Sequence, residues 1–295
     1  TEIRATKIDF AGTSVRPGPL QICPTGKDTP LIHAVMESGG LKRIDLAATL
    51  KSVEVAMQGL GPYPLSGMLP GLQGTASFDT GRATWWAKFL AAGGDLRIEG
   101  PDIAVADIDG TFNLEGLDSL LGAKIDLRSA RLIDHRRPLR FTPVSLDGTV
   151  QYHPTAASFA GHAGFNGASD GGPKVAIDAR YRIHDRRGGV KLTLPSWTIA
   201  EQTLQPQTLL PILKGLITHV SGTVGGEAQI NWADSRMSSS AKISLDNLAF
   251  GTTPAEVAGL SGDIVLDDLI NLKSAGPQSL TVGLIDAGIP LRGGT

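Results

Sequence analysis

The chain has 295 residues, enough for one large domain or two of ordinary size. Its hydrophobic fraction of 41% and charged fraction of 19% are those of an ordered protein and exclude a disordered tail. The net charge of −2 provides no basic excess that could neutralise phosphates, so we expect no nucleic-acid partner.

An aliphatic-x-Gly-Thr/Asp pattern recurs five times along the chain. Its glycines stand 36, 38, 74 and 40 residues apart, which indicates a period of about 37 residues with one copy lost. We interpret each glycine as a corner that opens a strand, where the backbone bends or bulges. A unit of this length would hold about four short strands, or two hairpins, so we predict a stack of similar β-units. The glycines are Gly74, Gly110, Gly148, Gly222 and Gly262.

Alternation of apolar and polar residues predicts strands along much of the chain. Residues 175–183 alternate, and so do residues 190–194 after the polar turn at 184–189, which together predict a hairpin with one apolar face. Residues 228–232 and 241–245 show the same pattern. We therefore predict an all-β fold with a few short helices, in which a long, curved antiparallel sheet forms an open apolar groove.

Two segments indicate helices. Residues 84–92 (TWWAKFLAA) are compatible with a short helix that ends at Gly93-Gly94. Behind Pro206, leucines and isoleucines at helical spacing predict a short amphipathic helix near residues 204–217.

The apolar strand face is the candidate functional site. Such a face is either core, covered by protein, or the lining of a groove for acyl chains, where each buried methylene contributes about 0.8 kcal/mol. A groove of this kind needs no titratable residue. The residues that we expect to line it are Ile177, Ala179, Tyr181, Leu192, Leu194, Ile230, Trp232, Ile243 and Leu245.

Motifs for catalysis, cofactors or metals are missing from the sequence. The six histidines lack metal-site spacing, and no G-x-S-x-G nucleophile elbow occurs. Trp85-Trp86 could stack a sugar or sit at a lipid interface, although packing under the sheet is the favoured interpretation. We expect no enzyme activity, no cofactor and no metal. We interpret the aspartates as solubilising, with a glycosidase pair as the alternative: Asp102, Asp107, Asp109, Asp263, Asp267 and Asp268.

The C-terminal third resembles a known family. Residues 259–269 (GLSGDIVLDDL), 277–283 and 286–291 resemble the start of the YdbH domain, which also carries the label dicarboxylate transport. Upstream, residues 204–215 and 220–222 resemble the same family. YdbH proteins are grouped with the TamB-like and AsmA-like proteins of Gram-negative envelopes.

The resemblance implies a repeating β-groove with an apolar interior that moves phospholipids between the inner and outer membranes. It implies a periplasmic location and, in the full-length protein, an anchor in the inner membrane. Residues 1–200 would be repeating β-groove units and residues 201–295 the start of the YdbH-type domain, all in one continuous sheet. We expect the chain to be an internal piece of a longer protein. The expected partners are phospholipid acyl chains, the inner membrane through an anchor outside this chain, and an outer-membrane lipoprotein or protein.

Two other functions remain open from the sequence. A structural scaffold for outer-membrane biogenesis would use exposed strand edges and would have its apolar face fully covered by protein. A carbohydrate-active β-solenoid enzyme would bring two or three carboxylates together in one cleft.

Overall fold

The computed structural model describes residues 2–3, 8–10, 13–17, 20–58, 63–117, 120–165, 172–233, 236–269, 271–274 and 276–294. Within them strands dominate, and helical structure is limited to α1 (Pro206–Leu209) and a 3₁₀ turn (Pro211–Leu213). The predicted all-β fold is confirmed. The strands are β1 (Glu2–Ile3), β2 (Ile8–Phe10), β3 (Thr13–Pro17), β4 (Leu20–Pro24), β5 (Ile32–Glu37), β6 (Gly40–Gln58), β7 (Leu65–Asp79), β8 (Thr84–Ala92), β9 (Asp95–Ile98), β10 (Ile103–Leu117), β11 (Leu120–Asp134), β12 (Val144–His153), β13 (Ala156–Phe165), β14 (Lys174–Arg182), β15 (Arg187–Ile199), β16 (Thr218–Ala233), β17 (Arg236–Gly251), β18 (Glu256–Leu266), β19 (Val282–Asp286) and β20 (Pro290–Gly294).

The strands belong to two compact units with antiparallel ladders. The first unit comprises Thr1–Leu132, Leu146–Gly161 and Arg180–Gly188, and the second comprises Ile133–Ser145, His162–Ala179 and Gly189–Thr295. In the first unit β6 pairs with β7, β7 with β8, and β8 with β10. In the second unit β16 pairs with β17, β17 with β18, β18 with β19, and β19 with β20. The division at residue 200 and the single continuous sheet stay predictions.

The five repeat glycines lie inside strands, so their interpretation as corners was wrong. They fall within β7, β10, β12, β16 and β18, and one repeat is therefore a pair of long strands rather than four short ones. Each marks a close approach, because a Cβ atom there would collide with a neighbouring strand or side chain. At Gly74 it would lie 1.9 Å from the carbonyl oxygen of Lys88 on β8. At Gly222 it would lie 2.6 Å from the carbonyl oxygen of Asn247.

Residues with positive φ interrupt the long strands. Among the described strand residues, four that are not glycine have positive φ: Ser52, Asp107, His219 and Asn247. On β6 the pairing with β7 keeps its register across Ser52, from Lys51–Gly71 to Val53–Leu69. Beside His219 on β16 and Asn247 on β17 the register shifts, so these two residues lie at β-bulges. A bulge of this kind bends the strand and returns the apolar residues beyond it to the same face.

Buried core residues lie beside these four positions. In the first unit Val53 and Ile108, which follow Ser52 and Asp107, belong to one buried cluster, which also contains Leu69, Leu72, Ala91 and Ala130. In the second unit Val220 and Leu248 follow His219 and Asn247 directly and pack with Ile199. Both buried clusters therefore include residues next to a positive-φ position.

The helix expected over residues 84–92 is wrong, because this segment is strand β8. Trp85, Ala87, Phe89 and Ala91 point to one side, and Ala87 and Ala91 are buried. Pairing with β7 on one side and β10 on the other supplies hydrogen bonds to both edges of the segment. These ladders override the helical propensity of its alanines, leucine and lysine.

The amphipathic helix expected near residues 204–217 is much shorter than predicted. Pro206 begins α1, as its fixed φ and missing N–H favour. Pro211 then disfavours helical geometry at Leu210, whose φ of −118° and ψ of 89° end the helix. Leu209 is buried, whereas Leu216 is exposed and strand β16 begins at Thr218.

Asp134, at the end of β11, holds the following turn through its buried carboxylate. The backbone N–H groups of Arg140 and Arg136 donate to it at 2.6 and 3.2 Å, and the Arg140 guanidinium donates at 2.5 Å. The Arg140 guanidinium, despite the opposing effect of burial, holds the pKa of this carboxyl well below its usual range. Folding is therefore linked to the charged form of Asp134.

We expect Asp134→Asn to lower the free energy of unfolding at pH 7 by about 3 kcal/mol, because charge-assisted bonds to a buried group are lost. Because the pKa of Asp134 is lower in the folded state, its contribution to stability is fully present above the unfolded-state pKa of about 3.9 and is lost as the pH falls below that value. Urea unfolding at several pH values tests this: the difference between wild type and variant stays constant from neutral pH down to about 5 and then shrinks. Asp185→Asn, at an exposed ion pair with Arg182, is the control and changes stability by less than about 0.5 kcal/mol. A stability difference between wild type and Asp134→Asn that grows on acidification would contradict the role of the charged Asp134 carboxylate.

Candidate functional site

One face of the first unit carries apolar residues and glycines over four successive rows of strands β6, β7, β8 and β10. Each row joins one residue from each strand as direct partners, and charged and polar side chains are absent from all four. We call this surface the first apolar face. Its rows are Ile44–Phe78–Trp85–Gly116, Leu46–Ala76–Ala87–Leu114, Ala48–Gly74–Phe89–Phe112 and Leu50–Leu72–Ala91–Gly110.

Burial changes across the first apolar face. The row nearest Ser52 is largely covered, with Leu72 and Ala91 both buried. The row farthest from Ser52 is open, since Ile44 and Trp85 are half-buried and Phe78 is 40% exposed. Protein therefore covers only part of the first apolar face. Four strands at about 4.8 Å spacing and four rows about 6.8 Å apart give it dimensions of about 14 by 20 Å.

The second unit repeats this arrangement on β16, β17 and β18. Three rows of direct partners form the second apolar face: Val224–Leu245–Gly262, Gly226–Ile243–Ile264 and Ala228–Ala241–Leu266. Ile243 and Ile264, in the middle row, are half-buried. Beyond the third row Ser239 is buried and donates its hydroxyl to Asp268 at 3.3 Å, which ends the apolar surface.

The structure places the nine predicted groove residues on four strands, all of them half-buried. Ile177, Ala179 and Tyr181 lie on β14, Leu192 and Leu194 on β15, Ile230 and Trp232 on β16, and Ile243 and Leu245 on β17. Ile243 and Leu245 belong to the second apolar face. Leu245 also packs against the buried cluster of the second unit. The ladder places Ile230 opposite Ser239 and Trp232 opposite Met237. Their role in binding lipid stays a prediction.

The sequence analysis missed most of the first apolar face, although part of the signal was present. Residues 44–50 read IDLAATL, an alternation that places Ile44, Leu46, Ala48 and Leu50 on one side. The alanines weaken this signal, because alanine is common both in protein cores and on surfaces. On β8 the helical interpretation hid the alternation altogether.

The opposite side of the same strands is polar and charged. In the second unit Lys191 pairs with Glu227 at 2.9 Å and Lys242 with Asp263 at 2.8 Å. Lys242, followed by the hydroxyl of Ser244, lowers the pKa of Asp263, and Asp263 in turn raises the pKa of Lys242. Cross-strand ion pairs therefore cover one side and apolar residues the other.

In the first unit the polar side is also paired. Asp45 accepts hydrogen bonds from Ser77 at 2.8 Å and Arg43 at 3.0 Å, and the Ser77 hydroxyl is the main cause of its lowered pKa. Asp126 pairs with Lys124 at 3.1 Å and accepts a hydrogen bond from Thr149 at 3.0 Å, and both contacts lower its pKa.

Five of the six aspartates considered for a glycosidase pair engage cations or amides. Asp107 pairs with Arg131 and Asp109 with Arg128, while Asp102 pairs with Arg97 at 2.7 Å. Asp263 pairs with Lys242, as above, and Asp268 accepts a hydrogen bond from the Asn271 amide at 2.6 Å. These partners hold the carboxylates as ion pairs and turn contacts, the structural role that surface aspartates commonly have. In the part of the chain that the structure describes, no three His, Cys, Asp or Glu residues are grouped as a metal site would require.

Comparison with known protein families points to lipid transport. A family model described as "YdbH-like: Intermembrane phospholipid transport protein YdbH" matches residues 67–295. The chain belongs to the YdbH-like family. The match includes β7, β8 and β10 of the first apolar face and all strands of the second. No curated protein and no solved structure matches the chain.

Membership of the YdbH-like family confirms the resemblance seen in the C-terminal third and extends it to both units. The description of the family names phospholipid transport between membranes, and it names no catalytic activity. None of the helices in the described ranges has the length and hydropathy needed to cross a membrane.

The first and second apolar faces of this YdbH-like chain, each with a polar side opposite, are suited to binding an amphiphile. An apolar chain laid on the open rows would bury methylenes at about 0.8 kcal/mol each, so that ten would contribute about 8 kcal/mol before the cost of ordering the chain. The apolar rows contain no group that would pair with a phosphate or an amine. Only the apolar part of a lipid finds a matching surface there.

Proposed function

We propose that this YdbH-like chain carries phospholipids with their acyl chains against the two apolar faces and their head groups toward water. The observation that carries the proposal is the first apolar face: four rows without a charged or polar side chain, of which the outer ones are only partly covered by protein. The largest contiguous apolar surface of a soluble protein is often a binding site.

The groove residues predicted from the sequence are proposed to contact lipid as well. Ile177, Ala179, Leu192 and Leu194 are half-buried, and exposed Asp178 and Lys191 lie beside them, as expected for the lining of a partly open surface. Tyr181, Ile230 and Trp232 have the same burial. Lipid would move along such a surface by passive sliding, because a run of Ala, Val, Ile and Leu offers no specific stopping point.

We further propose that the activity takes place in the periplasm of a Gram-negative envelope. The family description, which names transport between membranes, supports this setting. In the full-length protein an anchor would hold one end at the inner membrane, and the other end would contact an outer-membrane lipoprotein or protein. The direction of transport would be set by these partners and not by the apolar faces.

Native mass spectrometry of the purified chain, followed by lipid extraction, tests the proposed function. We expect phospholipid to remain bound through purification from a bacterial host and to be released by organic solvent. As a control, the delipidated chain should rebind phospholipid added in vesicles but not a soluble head-group analogue such as glycerol 3-phosphate. A folded chain that neither retains nor rebinds phospholipid would contradict the proposal and favour a structural scaffold.

A further inference from the structure

A second surface of the first unit has the character of a binding site. On the polar side of the strands, opposite the first apolar face, a pocket of about 460 Å³ opens beside Trp86. Trp86 and its neighbour Trp85 point to opposite sides of β8: Trp85 packs over Gly116, whereas Trp86 is 51% exposed. An indole this exposed on a charged surface is unusual, because burying it would be favourable.

Gly122 on β11 forms part of the pocket floor. A Cβ atom there would lie 3.2 Å from Cγ of Glu115, so that any side chain would fill the space between Glu115 and the strand beyond. An adjoining hollow of about 480 Å³ shares Trp86, Glu115, Gly122 and His153 with the pocket. Together they form an extended, shallow cleft along the exposed indole.

Most polar side chains of this pocket lack protein partners, in contrast to the rest of the polar side; Lys124, which also lines it, pairs with Asp126. Around it, Asp45, Asp109 and Asp126 are engaged with neighbouring residues. The lining side chains that make no hydrogen bond or ion pair with any described residue are Lys88, Asn113, Glu115, Gln151 and His153. Two amides, a carboxylate, an ammonium and an imidazole are thus free to bind a ligand around one aromatic face.

We propose that this pocket binds a glycan chain that carries hydroxyl and acetamido groups. One face of a pyranose ring presents only C–H groups, and the electron-rich face of an indole attracts them. The hydroxyl groups at the rim both donate and accept, as do the amides of Asn113 and Gln151, which also match an acetamido group. The charges of Lys88 and Glu115 balance, and Asp126 balances Lys124, the other cation of the lining, which favours a neutral sugar over a phosphate.

The pocket is suited to binding and not to cleavage. Glu115 is the only carboxylate among its lining residues, whereas glycoside hydrolysis by the usual mechanism needs a pair. The pocket also lies on the other side of the strands from the proposed lipid path, so that glycan and lipid would not compete. A chain that transports lipid could hold a glycan layer with its polar side.

Titration of the 295-residue chain with chitotetraose, followed by tryptophan fluorescence and by calorimetry, tests the proposal. We expect saturable binding in the wild type, a shift in tryptophan emission, and at least a tenfold loss of affinity in Trp86→Ala. Gly122→Leu, which fills the space beside Glu115 and removes no polar group, should lose affinity to a similar extent. Leu90→Ala is the matched control, because Leu90 is an exposed apolar residue on the same side of the same strand, outside the pocket.

Absence of saturation at millimolar chitotetraose would overturn the glycan proposal, and so would equal affinities of Trp86→Ala and Leu90→Ala. Phospholipid binding measured on the same samples separates the two proposals. Trp86→Ala should bind phospholipid as the wild type does, whether or not the glycan proposal holds.

Discussion

The double variant Leu46→Arg/Ile243→Arg is expected to abolish phospholipid binding. Leu46 lies in the second row of the first apolar face and Ile243 in the middle row of the second. An acyl chain laid over either guanidinium would strip it of water without offering a hydrogen-bond partner, which costs several kcal/mol. We expect at least a tenfold fall in bound phospholipid per chain, measured by lipid extraction and mass spectrometry.

The matched control is Ala47→Arg/Ser240→Arg. Ala47 neighbours Leu46, and Ser240 lies three residues from Ile243, but each points to the polar side of its strand. The control adds the same charge to the same strands and should retain lipid. Circular dichroism and thermal unfolding show whether both variants are folded. Equal lipid loss in the two variants would show that charge, and not the apolar faces, governs binding.

Gly74→Ala is expected to destabilise the first unit strongly. The new Cβ would lie 1.9 Å from the Lys88 carbonyl oxygen, which is backbone of the paired strand and cannot rotate away. Relief requires β7 and β8 to separate beside the buried Leu72 and Ala91. We expect a loss of about 3–5 kcal/mol in the free energy of unfolding, measured by urea denaturation.

Gly71→Ala is the control for this prediction. Gly71 lies three residues earlier on the same strand, and the nearest atom to its added Cβ would be 3.9 Å away. We expect a change within about 0.5 kcal/mol. Similar losses at the two positions would mean that the repeat glycine is needed for some reason other than close approach of β8.

The fold class was predictable from the sequence, but the strand lengths were not. At residues 241–245 the alternation correctly places Ala241, Ile243 and Leu245 on one face. At Asn247 a bulge moves the apolar positions to Leu248 and Phe250, from odd to even numbers. The sequence therefore shows two short alternating runs where the structure has one strand of sixteen residues. Breaks of this kind, found also beside His219, make long strands look like several short ones.

The site was predictable where large aliphatic residues alternate with charges, as at Ile243 beside Lys242. It was not predictable on β8, where alanine, leucine and lysine favour a helix when taken alone. Only pairing with β7 and β10 makes the segment a strand, and only in a strand do Trp85 and Trp86 face opposite sides. The exposed indole of Trp86, and the pocket beside it, follow from that long-range pairing.

Site-specific photo-crosslinking tests the central claim most directly. Benzoylphenylalanine would be placed at Leu46 and Ile243 on the apolar faces, and at Ala47 and Ser240 on the polar side, in chains expressed in a bacterial host. After irradiation, mass spectrometry should find phospholipid adducts at Leu46 and Ile243 and not at the other two positions. Adducts at all four positions in equal yield, or at none, would contradict the proposal that acyl chains lie on the apolar faces.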